Sequence, residues 1–280
     1  MSMENPLFQK YKKLIYQYSG IDLKDSKKTM LVSRINKRLK NLKINSYEQY
    51  FDYVTKKENG NELVMMIDEI TTNITHFFRD ETHFDFLQTH LQELLKASPQ
   101  KIRIWCCAAS TGQEPYSIAM VLHDVLTKTN SKCDAKILAT DLSTQVLETC
   151  KEGVYSQELI ENVPPKYANR YFQKNTASND LTIDPCLKRL VSFKRLNLSK
   201  FPFPLKNKLD IVFIRNVMIY FDKPTKSKII HEIFNLLKPS GVVITSSTES
   251  LNGLHDQFQR VQPSIYQPMA TSYPIHKASA

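Results

Sequence analysis

The run AASTGQEP at residues 108–115 sets one glycine, small residues, a hydroxyl pair and a glutamate between an apolar stretch and an amphipathic one. Gly112 would let backbone approach a ligand, Ala108 and Ala109 are nearly as small, and Pro115 suits the first turn of a helix. Asp141 ends the run KILATD, where an acid can accept hydrogen bonds from ribose hydroxyls. The run RNVMIYFD at 215–222 brings Arg215, Asn216 and Tyr220 directly after the apolar DIVFI. Each signal has a plainer reading when taken singly: a turn glycine, a helix-capping aspartate, a core tyrosine with a satisfied hydroxyl. Their order, each at the end of a strand pattern, favours a nucleoside ligand. A diphosphate needs close backbone contact from a glycine-rich loop, and none follows the strand pattern. NAD and FAD therefore fit poorly. A nucleoside cofactor without phosphates fits better, and S-adenosylmethionine is the obvious one.

Those residues must be positioned by something, and the periodicities say what. From residue 5 to about 80 the pattern is helical. Leu31, Ile35, Leu39 and Leu42 share one stripe of a helix over about 27–43, while Lys27, Arg34, Lys37 and Arg38 share a different face. The run NSYEQY at 45–50 is an N-cap signal before another short helix. After residue 100, β-rich runs alternate with amphipathic ones. Strands are predicted at 102–107, 136–140, 209–214 and 242–247, with helices at 115–127, 143–151 and 224–238. That alternation predicts a parallel, doubly wound sheet. Residues 156–200 break the rhythm with proline and polar clusters, and are expected to form a small inserted lobe containing a short strand at 190–194.

The chain of 280 residues is long enough to bury a sizeable core. Its net charge of +10 suits an anionic partner, and residues 1–60 concentrate it, with 13 Lys and Arg against 6 Asp and Glu. A solvated face is the plainer reading of any single charge run. Five cysteines without a C-x-x-C spacing point to a reducing compartment and to no metal site. The N-terminus carries no apolar signal core, and Arg215 interrupts the longest apolar run, 211–221, so a cytoplasmic protein without membrane insertion is expected.

Four motifs in order, TTNITHFFRD at 71–80, AASTGQEPYSIA at 108–119, LATDLSTQVLE at 138–148 and IRNVMIYFD at 214–222, closely resemble the CheR family of bacterial chemotaxis methyltransferases, which methylate receptor glutamates. The resemblance runs from about Gly20 to about Tyr266. It implies an α/β fold: a doubly wound, Rossmann-like class I methyltransferase sheet, an all-helical N-terminal domain and a small inserted β-subdomain. The implied boundaries are 1–82 for a receptor-facing helical domain and 83–280 for the S-adenosylmethionine-dependent domain. By the same resemblance Asn73, Thr75 and Arg79 line the cofactor site and Glu114 meets the methionine end of the cofactor. Asp141 binds ribose, Asn197 and Leu198 lie near the adenine, and Arg215 and Asn216 close the pocket. Arg79 and Tyr220 match residues beside the transferred methyl. The basic face of Lys27, Arg34, Lys37 and Arg38 would meet the helical methylation region of a receptor. On residue type alone, Arg79 reads as a surface ion pair with Asp80 or Glu81, and Asn73 as a helix cap.

Two departures stand out. The run TSSTESL at 245–251 replaces a usual G-H-S-E-like motif, so no role transfers to Thr248, although Glu249 still matches the glutamate. The loop within FQKNTASNDLTI at 172–183 contains no glycine, unlike members that dock on a receptor's C-terminal peptide, so no peptide tether is expected. The implied activity yields S-adenosylhomocysteine and needs no metal. The implied setting is a cytoplasmic monomer working at membrane-embedded receptor arrays. A basic RNA or DNA methyltransferase is one rival, but the NPPY-type motif of amino-directed enzymes is absent, and no nucleic-acid partner is expected. A catalytically idle binding module is the other.

Overall fold

A computed structural model describes residues 3–56, 60–71, 75–174 and 180–269 of the chain. The first four helices, α1 (Asn5–Ser19), α2 (Lys28–Leu42), α3 (Tyr47–Thr55) and α4 (Gly60–Ile70), enclose one apolar cluster. Leu31, Ile35 and Leu39 of α2 point into it, as their spacing predicts, and Tyr11, Ile15, Tyr50 and Met66 fill its centre. Ser46 caps α3 by accepting a hydrogen bond from the Gln49 amide.

A fifth helix, α5 (Glu81–Lys96), is one the sequence reading leaves unassigned. Phe84, Leu87, Leu91 and Leu95 carry its apolar stripe and join the core on one face of the sheet. The sheet alternation then begins: β1 (Lys101–Cys106), α6 (Gln113–Lys128), β2 (Asp134–Asp141) and α7 (Thr144–Glu152). A lobe follows, with β3 (Val154–Tyr155), the short helices α8 (Gln157–Ile160) and α9 (Pro165–Tyr171), β4 (Phe172–Lys174), β5 (Leu181–Ile183) and α10 (Pro185–Lys188). The main sheet resumes with β6 (Val191–Arg195), β7 (Leu209–Phe213), α11 (Lys223–Leu236), β8 (Leu237–Ile244), β9 (Phe258–Gln262) and β10 (Ile265–Pro268).

Seven strands lie in the order β6-β2-β1-β7-β8-β10-β9, and β3-β5-β4 form a separate small antiparallel sheet in the lobe. Every residue of β7 is buried, as a central strand covered on both faces requires. Residues alternate between two cores: Ile104 and Cys106 face α5 and α6, while Trp105 and Cys107 face α11.

Two expectations need correction. The strand predicted at 190–194 is not part of the lobe, because β6 pairs in parallel with β2 at the edge of the main sheet. The sheet is also mixed rather than wholly parallel, since β10 runs antiparallel to β8 and β9. That hairpin escapes a reading based on apolar runs because four of the five residues of its outer strand face solvent.

The chain order reverses between β1 and β7, so the loops at their carboxyl ends part and leave a crevice there. The C-terminal end of α1 is pinned over this edge. Tyr16 Oη donates to Asp222 at 2.8 Å, Asn197 Nδ2 donates to the Tyr18 carbonyl at 2.7 Å, and the Asp22 amide donates to the Tyr220 carbonyl at 2.8 Å. Gly20 terminates α1 with φ of 76°, and a Cβ there would lie 2.3 Å from Ser199 Cβ. Gly20→Ala should therefore lower stability by about 1–3 kcal/mol, combining left-handed strain with overpacking. Urea denaturation would measure the loss, and adding Ser199→Gly should recover its steric part.

Candidate functional site

After β1 the backbone turns sharply. The Ala109 amide donates to the Thr140 carbonyl at 2.8 Å, which stitches the turn to the end of β2. Asp141 holds the same junction from its own side. One carboxylate oxygen accepts from the Ser110 amide at 2.9 Å and the other from the Ser143 amide at 3.0 Å. The Leu142 amide also favours the charged carboxylate, and acceptor capacity remains that a ligand hydroxyl could use. Burial pushes the Asp141 carboxyl up to about 6, against the pull of those amides.

Gly112 has φ of 101°, which favours glycine, but the space its missing side chain leaves is not ligand space. A Cβ there would lie 2.3 Å from the Tyr155 hydroxyl of the lobe, whose own hydrogen bond runs to the Thr111 carbonyl at 2.8 Å. The expectation that Gly112 admits a ligand is corrected: it admits Tyr155. Ala108, Ser110 and Glu114 are the residues of this turn that face the cavity described below.

Arg215 follows β7 and is wholly buried. One terminal nitrogen donates to Glu114 at 2.8 Å, and the other to Asp80 and to the Arg79 carbonyl, both at 2.7 Å. The guanidinium thus ties the end of β7 to the first turn of α6 and to the segment that opens α5. Burial raises the Glu114 carboxyl despite Arg215 and Arg79 nearby, and its second oxygen accepts from the Cys106 thiol at 3.2 Å. Arg215 Nε finds no acceptor among the described residues.

These residues surround a cavity of about 420 Å³ at the crevice, of a size suited to a small ligand. Of the site residues expected from the sequence, Thr75, Arg79, Glu114, Asp141, Asn197, Leu198, Arg215, Asn216 and Tyr220 all line it. Asn73 lies outside the described residues. The Asn197 side chain also serves the protein, donating to the Tyr18 carbonyl and accepting from the amide and hydroxyl of Ser199. Its approach to a ligand is as a wall. Residues that the motifs did not single out add to the lining, among them Ile21, Leu23 and Met30 from the helical N-terminal part and Cys107 after β1. Their apolar character carried no signal that separates a ligand wall from a core.

The basic face is less uniform than its spacing suggests. Lys27 lies at the rim of the same cavity, Arg34 is half-buried, and Lys37 pairs with Glu69 at 2.8 Å. Arg38 must be removed from the exposed set. Its side chain is 11% exposed and forms a two-point pair with Glu62, at 2.9 and 2.7 Å, inside the helical part. Helical periodicity placed it on a polar face, and α4 covers that face.

Among the described residues no group of His, Cys, Asp or Glu is arranged to hold a metal ion. No described helix is long and apolar enough to cross a membrane. Two family models match the chain. "CheR methyltransferase, all-alpha domain" matches residues 6–71, and "CheR methyltransferase, SAM binding domain" matches residues 73–266. The "Chemotaxis protein methyltransferase" of Borreliella burgdorferi is 34% identical over 259 residues, covering 91% of each chain. That of Escherichia coli is 33% identical over 268 residues, covering 95% of this chain and 92% of its own. The "Chemotaxis protein methyltransferase 2" of Pseudomonas aeruginosa is 34% identical over 263 residues, covering 93% and 92%.

The raised carboxyls give a pH signature. Ligand hydroxyls or an ammonium group would favour the ionised forms of Asp141 and Glu114. Affinity for S-adenosylhomocysteine should therefore be full above about pH 6 and fall as pH drops through that value, set by Asp141. Titration calorimetry across this range would show it, and Asp141→Asn should bind more weakly with a flatter profile. The stability of the free protein should respond with the opposite sign. A carboxyl raised in the folded state holds its proton more tightly there, so its contribution favours low pH and is lost as pH rises through about 6.

Proposed function

We propose that this chain, which belongs to the CheR methyltransferase family, moves a methyl group from S-adenosylmethionine to glutamate side chains in the helical methylation region of chemoreceptors. The observation that carries this reading is the cavity at the β1/β7 crevice. It gathers two half-buried carboxylates, a buried arginine and the pair Arg79 and Tyr220 under the end of α1. Relatives named as chemotaxis protein methyltransferases support a protein substrate in chemotaxis.

The donor supplies an electrophilic methyl on a sulfonium. The acceptor carboxylate is already ionised at neutral pH, so no proton has to move. One C–S bond breaks as one C–O bond forms, and a glutamate methyl ester leaves with S-adenosylhomocysteine. Positive sulfonium and negative carboxylate lose charge together, so the protein's work is positioning and partial desolvation. Asp141 is suited to ribose hydroxyls and the carboxylate of Glu114 to the amino group of the methionine half. Asn197 and Leu198 form the wall suited to the adenine. Arg79 orients the acceptor carboxylate, and Tyr220 offers a hydroxyl near the reacting atoms. An ion pair from Arg79 stronger in the ground state than in the transition state would slow transfer, so its role is orientation.

The N-terminal helical part would face the receptor, with Lys27, Arg34 and Lys37 steering an acidic helical surface. The protein would act as a monomer in the cytoplasm at the receptor arrays. The glycine-free loop of the lobe lies partly outside the described residues, and the expectation that no peptide tether is needed rests on its sequence. Removing the receptor's C-terminal residues should leave the methylation rate unchanged.

Transfer of labelled methyl to chemoreceptor-containing membranes tests the reading. The label should be released as methanol in mild base, as a carboxyl ester requires. Arg79→Ala should lower kcat/KM by about a hundredfold or more, the scale of a lost orienting contact. Base-stable label would point to N-methylation and would overturn the proposal.

A further inference from the structure

Glu249 sits in the loop after β8, and its side chain does not line the cavity. It is 8% exposed. Its carboxylate is aimed across the sheet edge at the loop after β7. One oxygen accepts from the Asn216 amide at 2.7 Å and the other from the Ile219 amide at 3.2 Å. The first oxygen also takes the Ser246 hydroxyl at 2.7 Å and the Ser246 amide at 3.4 Å.

Glu249 is itself held at both ends of its backbone. Its amide donates to the Ser246 carbonyl at 3.0 Å, and its carbonyl accepts from the Thr245 hydroxyl at 2.9 Å. Thr245 and Ser246 are buried, so the carboxylate projects from a fixed base. The loop it reaches needs such a hold. Asn216 adopts φ of 56°, a left-handed conformation that non-glycine residues reach at a cost, and Ile219 is 51% exposed and gains little from packing.

The same short loop carries Asn216, Val217, Ile219 and Tyr220 into the cavity. A β7 strand end alone would not specify this path. We infer that Glu249 is the positioning residue for the cofactor-facing loop 216–220, holding Asn216 in its left-handed turn and setting where Asn216 and Tyr220 meet the ligand. The inference rests on reading the cavity as the S-adenosylmethionine site.

Two variants separate this role from general support. Glu249→Ala leaves the Asn216 and Ile219 amides without their acceptor. Glu249→Gln keeps one acceptor oxygen and the side-chain length. Hydrogen exchange across the intact protein and S-adenosylhomocysteine affinity by calorimetry are the two readouts. In Glu249→Ala, exchange in the peptide covering 214–221 should accelerate by about tenfold or more while β7 and β8 keep their protection. The dissociation constant should rise by about tenfold or more, the scale of an unmet buried hydrogen bond. Glu249→Gln should recover part of both effects.

Wild-type exchange and affinity in Glu249→Ala would overturn the inference. So would acceleration spread evenly over the whole sheet with no recovery in Glu249→Gln, which marks plain destabilisation. If the wild-type protein binds no S-adenosylhomocysteine, the functional reading fails instead, and the exchange data still decide whether Glu249 holds the loop.

Discussion

A guanidinium with no solvent exposure is costly unless its donors are met, and the site is organised around the acceptors that reach the two terminal nitrogens of Arg215. Its acceptors come from two places far apart in the chain: Glu114 in the first turn of α6, and Arg79 with Asp80 where α5 begins. Satisfying one side chain therefore fixes three backbone segments relative to one another. A hydrophobic residue of similar volume could fill the same space, and such replacements in other buried pairs are often neutral or stabilising. What a hydrophobic residue could not do is specify direction. The charge-assisted bonds point Glu114 and the Arg79 backbone toward the crevice, so the buried pair serves the geometry of the site rather than stability alone.

The crevice itself is a consequence of topology, and its closure is a consequence of a second unit. Strand order reverses between β1 and β7, which opens the edge, and α1 is laid across it. The joints are polar: Tyr16 to Asp222, Asn197 to the Tyr18 carbonyl, Asp22 to the Tyr220 carbonyl. Polar joints of this kind contribute modestly to affinity between units, yet each fixes an orientation. The Asn197 joint also explains why that residue is polar at a position that borders the cavity: its side chain is spent on holding the Tyr18 carbonyl.

The sequence carried the alternation of strands and helices well, because β1, β2, β7 and β8 are apolar runs bounded by turn residues. It carried the site residues through motifs rather than through residue type, since Arg79 and Tyr220 have ordinary surface and core readings on type alone. Misreadings share a cause: periodicity and residue size report on local fit and not on what arrives from elsewhere in the chain. Gly112 is small because Tyr155 comes from the lobe to meet it. Arg38 lies on a polar helix face that α4 covers with Glu62. The strand at β6 follows the lobe in sequence, and only its pairing with β2 assigns it to the main sheet. The outer strand β9 exposes four of its five positions, so no apolar run announces it.

The electrostatics of the cavity argue for the kind of ligand it takes. Glu114 has a cation on one side, Arg215, and a second, Arg79, close enough to stabilise its charge. Burial still outweighs both, and the carboxyl stays raised. Asp141 is favoured in its charged form by the Ser143, Ser110 and Leu142 amides and is raised all the same. Two acids that remain raised after their protein partners are counted each have a demand for further hydrogen-bond donors or positive charge. An anionic ligand would raise both further by repulsion, and an apolar one by added desolvation. A ligand with a hydroxyl pair at one end and an ammonium at the other would lower both at once. The absence of a glycine-rich phosphate cradle in the turn after β1 and the presence of two under-satisfied carboxylates beyond it are thus one design. The turn suits the S-adenosylmethionine named in the description of the matching family model, with Arg215 fixing one oxygen of Glu114 and the Cys106 thiol meeting the other.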